Sequence, residues 1–260
     1  LRARAYIEEL SATGRHHFSS AEAFEAIGGS QAAVRAQLRR LKGQGLIAEP
    51  ARSFLVIVSP AYRRLRCLPA EHFVDQLMTA WQEPYYLGLL SAAERHGAAH
   101  QRPQSCQVIV RKNRAAVSCG EVRVEFIARS DLEKMPVVTV NTPVGVLRYA
   151  TPEVTALELV GYPKHAGGLS NVATVVSELV ESLDAGKLLE AARQSPVSWS
   201  QRLGYILERV GGENLAEALE PFVQEQAKSF TPLRRAAAIA SAKRSAKWKL
   251  IVNAEVEPDA

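Results

Sequence analysis

Arg35, Arg39 and Arg40 stand in a stretch, Ser30 to Ile47, that contains no Asp or Glu. On a helix turning about 100° per residue, Ala32, Arg35, Ala36, Arg39 and Arg40 share one side, with Gln31 and Lys42 along its flanks. Val34, Leu38 and Leu41 fall on the other side at i, i+4 and i+7, so that side is the core stripe. Guanidinium and amide side chains reach base edges and phosphates, and alanines permit close approach. The chemistry of such a face is therefore recognition of a DNA major groove. A surface helix without a partner mixes in carboxylates, because a face of one sign repels itself unless something anionic neutralises it.

The other residues capable of chemistry point less far. His96 and His100 are four apart, but no Glu separates them in the HExxH sense and Gly97 interrupts the helix. A packing or capping role is the expectation for His96, and adjacent His16 and His17 point to opposite sides of any regular element. No metal site is expected. Cys67, Cys106 and Cys119 are odd in number and lack CxxC spacing, which favours buried thiols over a disulfide framework or structural zinc. Gly28-Gly29-Ser30 resembles the opening of a nucleotidyltransferase phosphate loop, yet residues 31–48 supply no acidic pair to hold metal. Glu121 and Glu125 put acids on an alternating strand, as in a DNA-binding protein with a restriction-nuclease-like C-terminal domain. That alternative needs Asp, Glu and Lys around a divalent cation, and no Glu-x-Lys follows. No dinucleotide fingerprint, Walker loop or nucleophile elbow occurs, so no cofactor is expected and the chain reads as a non-enzyme.

The elements that must hold the arginine face can be read around it. Ala3, Ile7 and Leu10 set a first helix that Gly14 stops, and Phe18 follows as a buried anchor. Ser19 with Glu22 fits a capping box opening a short second helix, which Gly28-Gly29 ends. Ser30 caps the third helix, Gln31 to about Gln44. Leu46-Ile47-Ala48, a proline turn through Glu49 to Ser53, and Phe54 to Val58 then read as a hairpin with Arg52 near its tip. Three helices and a hairpin are the order of a winged helix-turn-helix. Its expected DNA contacts are Ser30, Gln31, Arg35, Arg39, Arg40, Lys42 and Arg52.

Charge agrees with that division. Residues 1–66 hold eleven Lys/Arg against five Glu, a net of +6, whereas the other 21 basic and 22 acidic residues net −1. A small basic module on a near-neutral body is the footprint of nucleic-acid binding. The expected domains are 1–66, DNA-binding, and 67–260, regulatory. With 260 residues, 47% of them hydrophobic, both can bury a core. In the second, helices are expected at Ala70–Trp81 and Tyr85–Gly97. Strands over Gln107–Val110, Val122–Phe126, Val137–Val140 and Val144–Tyr149 are expected to form a mostly antiparallel sheet with one covered face. Thr151-Pro152 should open helices running to about residue 227. The class is α+β. Arg111, Lys112 and Arg114, and the acid-free tract holding Lys243, Arg244, Lys247 and Lys249, are candidates for a second cationic surface that contacts flanking DNA or an acidic partner, or is merely solvated. No run approaches ~20 apolar residues and no apolar leader opens the chain, so no membrane contact and a cytoplasmic location are expected.

The second domain resembles the AbiEi-type antitoxins of type IV toxin–antitoxin systems, which protect bacteria from phage by abortive infection. The resemblance lies in Tyr85-Tyr86-Leu87-Gly88 with Ser91-Ala92-Ala93-Glu94-Arg95-His96-Gly97, in Thr151-Pro152-Glu153, in Gly167-Gly168, and in Trp248 with Asn253. It implies a bifunctional protein. The winged helix would bind inverted repeats in its own promoter as a monomer or a DNA-assisted dimer. The C-terminal domain would assist repression and counter a cognate nucleotidyltransferase-like toxin without a stable complex.

Overall fold

A computed structural model describes residues 2–98 and 103–256. The fold is mixed α+β with several sheets, and the chain divides into two compact units. The first comprises Leu1–Tyr86, Gln104–Ser130 and Thr139–Arg148; the second comprises Leu87–Pro103, Asp131–Val138 and Tyr149–Ala260.

The first unit begins with α1 (Ala3–Ala12), which buries Ala3, Tyr6 and Ile7. Phe18 is fully buried as expected, packed edge-on against Tyr6 with ring centroids 5.5 Å apart, but it lies in a strand, β1 (His17–Ser19). Three residues are too short for alternation to register. In α2 (Ser20–Ile27) both arms of the capping box form: the Glu22 amide donates to Ser19 Oγ at 3.1 Å, and the Ser19 amide donates to Glu22 Oε2 at 2.7 Å. Gly28 and Gly29, at φ 74° and 86°, turn the chain through the left-handed region that glycine tolerates. The Ala33 amide then donates to Ser30 Oγ and α3 (Gln31–Gly43) starts.

The hairpin follows as β2 (Ile47–Ala51) and β3 (Phe54–Ile57), in a sheet of order β1-β3-β2. Pro50 is not the turn. It lies in β2, at a register shift between Ala48 and Ala51, while the turn is Arg52-Ser53 with Ser53 at φ 63°. An edge strand tolerates proline because no ladder amide is lost to a neighbour.

Beyond the hairpin the expected Ala70–Trp81 helix is interrupted at Phe73, leaving a 3-10 turn at Ala70–His72 and α4 (Val74–Ala80). Tyr85–Gly97 also divides, into β4 (Tyr85–Leu87) and α5 (Leu89–Arg95), with Gly88 between them and Leu89, at φ 51°, opening the helix. A fully buried apolar run has no polar face to reveal its period, so a strand and a helix look alike there. The remaining strands are β5 (Cys106–Val110), β6 (Val117–Cys119), β7 (Val122–Ala128), β8 (Val137–Thr142) and β9 (Gly145–Ala150). Their sheet has order β6-β7-β5-β4-β9-β8 and is mixed, with more parallel pairing than the mostly antiparallel expectation allowed. β5 runs parallel to β7 from Cys106↔Val124 to Val110↔Ala128, β4 runs parallel to β9, and only β6 against β7 is antiparallel among these pairs. Alternation reports a strand's faces and not its direction.

The second unit is built on α6 (Pro152–Gly161), buried at every position from Glu153 to Val160. Thr151 caps it and Pro152 takes its first position, as the sequence indicates. Around it lie α7 (Leu169–Leu179), α8 (Ala185–Arg193), α9 (Val197–Leu207) and α10 (Glu213–Gln226). The basic C-terminal tract forms a small sheet, β10 (Thr231–Pro232), β11 (Lys243–Ser245) and β12 (Leu250–Val252), in the order β10-β12-β11. It is fastened to the helices by Trp248, fully buried, whose Nε1 donates to Glu208 Oε2 at 2.8 Å. Among the described residues no helix is long and apolar enough to cross a membrane.

Candidate nucleic-acid interface

The orientation of α3 follows from its aliphatic row. Val34, Leu38 and Leu41 are buried with Tyr6, Phe18, Ile27 and Leu55 in one core, and each contributes roughly 1.5–3 kcal/mol by leaving water. Gln37 fixes the helix against α1, its Oε1 accepting the Ala3 amide at 2.9 Å. With that side held inward, Ser30, Gln31, Arg35, Arg39, Arg40 and Lys42 are all exposed, as is Arg52 at the hairpin tip.

The electrostatics of these cations differ. Arg35 lies over the Phe24 ring, 5.8 Å from its centroid, and its Nη2 reaches Gln31 Oε1 at 3.4 Å. Among the described residues no carboxylate lies within 4 Å of Arg35, Arg39, Arg40 or Arg52, so their charge is directed at solvent. Lys42 is different: its Nζ forms an ion pair with Glu49 of β2, whose other oxygen accepts the Ser53 amide at 3.2 Å. Sequence spacing gave no sign of this partner, because Glu49 lies seven residues away, beyond the end of the helix. Four unneutralised guanidinium groups and one tethered ammonium can bind a polyanion but perform no bond chemistry.

The second cationic group divides as well. Arg111 and Lys112 are exposed, but Arg114 pairs with Glu83 at 2.7 Å and lies 4.5 Å from the Trp81 ring centroid. Lys243 and Arg244 are exposed on β11, with Arg244 5.3 Å from the Phe230 centroid. Lys247 pairs with Glu208 at 2.6 Å and Glu220 at 3.3 Å, and Lys249 donates to the carbonyls of Gln224 and Ala227 at the end of α10. Arg114, Lys247 and Lys249 thus hold structure together.

The candidates for metal chemistry do not converge. His96 Nε2 lies 2.8 Å from the Ala150 carbonyl, whereas His100 falls outside the described residues. Glu121 pairs with Arg66 at 2.8 Å and Glu125 with Arg123 at 3.3 Å. Among the described residues no group of three or more His, Cys, Asp or Glu could hold a metal ion. The three cysteines are free thiols; Cys67 and Cys106 are buried and Cys119 is half-buried. The hydrogen bond to Cys119, then burial, pushes the Cys67 thiol up, out of the reactive range.

Comparison with known proteins adds two findings. Residues 86–209 match the family model described as the AbiEi antitoxin C-terminal domain. The crystal structure of the RV2827C protein from Mycobacterium tuberculosis matches with a TM-score of 0.71 at 14% identity, over 96% of this chain and 90% of that one. At that identity the likeness is one of fold. No curated protein gives a significant match.

Proposed function

We propose that this protein, whose residues 86–209 match the family model of the AbiEi antitoxin C-terminal domain, is a DNA-binding antitoxin that represses its own operon. In this reading residues 1–66 are a winged helix-turn-helix, α3 is the recognition helix and Arg52 marks the wing tip. The single observation that carries it is the outward, carboxylate-free presentation of Arg35, Arg39 and Arg40 by a helix whose opposite row is anchored in a core. Ser30 and Gln31 stand at the N-terminal end of α3, the end that contacts base edges in helix-turn-helix proteins. Operator inverted repeats would be met by one protomer per half-site, paired on the DNA.

Residues 67–260 would carry the antitoxin role against a cognate nucleotidyltransferase-like toxin in the same cytoplasm, with exposed Lys112, Lys243 and Arg244 as auxiliary cations. The role is regulatory, with no cofactor. Gel-shift titration on the DNA upstream of the protein's own gene tests the first half. Arg39→Ala should weaken operator binding by about 1–3 kcal/mol if Arg39 reads a base, and equally on scrambled DNA if it holds a phosphate. Unchanged affinity contradicts the assignment. Co-expression with a nucleotidyltransferase-like toxin, should the adjacent gene encode one, tests the second half: the full chain should restore growth and residues 1–66 alone should not.

A further inference from the structure

The second unit contains a cleft of about 690 Å³ that the DNA-binding reading does not use. Part of its lining is the connection from α6 to α7. Here a 3-10 turn at Pro163–Ala166 leads into Gly167 at φ 75° and Gly168 at φ 98°, and α7 begins with no side-chain cap. Space is open where a Cβ would stand on Gly168, and Gly168, Leu169 and Ser170 line the cleft, so the start of α7 borders it. Another part is the loop carrying Arg234 and Arg235. Asn253 fixes that loop: its Oδ1 accepts the Arg234 amide at 3.0 Å, and its Nδ2 donates to the carbonyls of Arg234 and Ala237 at 2.9 and 3.1 Å.

The residue that gives the cleft its meaning is Arg202 of α9. It is 2% exposed, yet it lines the cleft. Its Nε donates to the Pro232 carbonyl at 3.1 Å; among the described residues its terminal nitrogens have no partner and no carboxylate lies within 4 Å. Burial, and then the charge of Arg235, pull its pKa down to about 10, so it stays cationic at neutral pH. A guanidinium withdrawn from water without a counter-ion is strongly unfavourable. Lys164, Arg234 and Arg235 add positive charge to the same lining, where Glu255 is the single carboxylate among the described residues.

We propose that this cleft binds a small phosphorylated ligand, its phosphate held by Arg202, Arg234, Arg235 and the N-terminus of α7. Guanidinium forks match phosphate oxygens, and an uncapped helix start favours the same dianion. The volume falls within the usual range for small-molecule sites, and a charge as deeply buried as Arg202 lies out of reach of a duplex. A nucleic-acid backbone is therefore the less fitting source of the phosphate.

The test is calorimetry and thermal denaturation of the full chain with pyrophosphate and with ATP, against chloride at equal ionic strength. At least one of the two should bind saturably at one site and raise Tm. Arg202→Met and Arg235→Glu should each weaken binding by about tenfold or more, and Arg39→Ala should leave it unchanged. Should Arg202→Met fail to fold, Arg235→Glu and Lys164→Glu, on exposed positions, carry the comparison. No saturable binding of either compound, or equal affinity in Arg235→Glu, overturns the proposal. So does binding that disappears in Arg39→Ala, since the anion then sits on α3.

Discussion

Salt dependence offers the sharpest quantitative check on the α3 face, because the structure fixes how many of its charges are available. Arg35, Arg39, Arg40 and Arg52 have no carboxylate within 4 Å among the described residues, whereas Lys42 is paired with Glu49. If each available cation neutralises one phosphate, log K should fall against log salt with a slope of about −0.9 × 4, or roughly −3.6 per protomer. Raising salt from about 50 to about 200 mM should then weaken binding by about 150-fold. Arg39→Ala should reduce the slope to roughly −2.7. Glu49→Gln keeps an acceptor for the Ser53 amide but removes the counter-charge from Lys42. A fifth cation becomes available, the slope should steepen toward about −4.5, and affinity at low salt should rise. Fluorescence anisotropy on a labelled operator duplex across a salt series reads all three. A wild-type slope shallower than about −2, or weaker binding by Glu49→Gln, would refute the reasoning, because it would mean that the duplex does not meet this face.

Three further outcomes follow from packing and titration. Ser19→Ala removes the acceptor for the Glu22 amide and should destabilise the first unit by about 0.5–2 kcal/mol in urea denaturation; an unchanged midpoint would mean that α2 is held by its core contacts alone. Gly204→Ala places a Cβ 2.1 Å from the buried Trp248 ring, which its bond to Glu208 prevents from retreating. A loss of about 1–3 kcal/mol is expected, and none would show that the ring is not seated there. His17 and His72 both have pKa values below the ordinary 6.5, chiefly through burial, so the unfolded chain takes up their protons first as pH falls. Stability should therefore be full above about pH 6.5 and decline below it, through the depressed folded values, and His17→Phe should flatten part of that decline; a pH-independent midpoint between about 7 and 5 contradicts the shift.

The most legible part of the chain was its most local part. Ser19 and Glu22, Gly28-Gly29, Ser30 and the Val34–Leu38–Leu41 row place α2, its stop and α3 within a residue or two, because caps and helical stripes are interactions over three or four positions. Thr151-Pro152 did the same for α6. The strands were less legible. The three residues of β1 pair with β3 some 37 positions later, Pro50 sits inside β2 and not at its turn, and the parallel direction of β5 against β7 leaves no trace in alternation.

Sequence alone thus decided which side of α3 faces the core and, with it, that Arg35, Arg39 and Arg40 point outward. Tertiary structure decided which cations remain available: Lys42, Arg114 and Lys247 find carboxylates, while Arg202 is buried with none beside it among the described residues. The reason is physical. A helix's face is set by hydrogen bonds and side chains within two turns of one another, whereas a charge is neutralised or isolated by whatever the whole chain brings within about 4 Å of it.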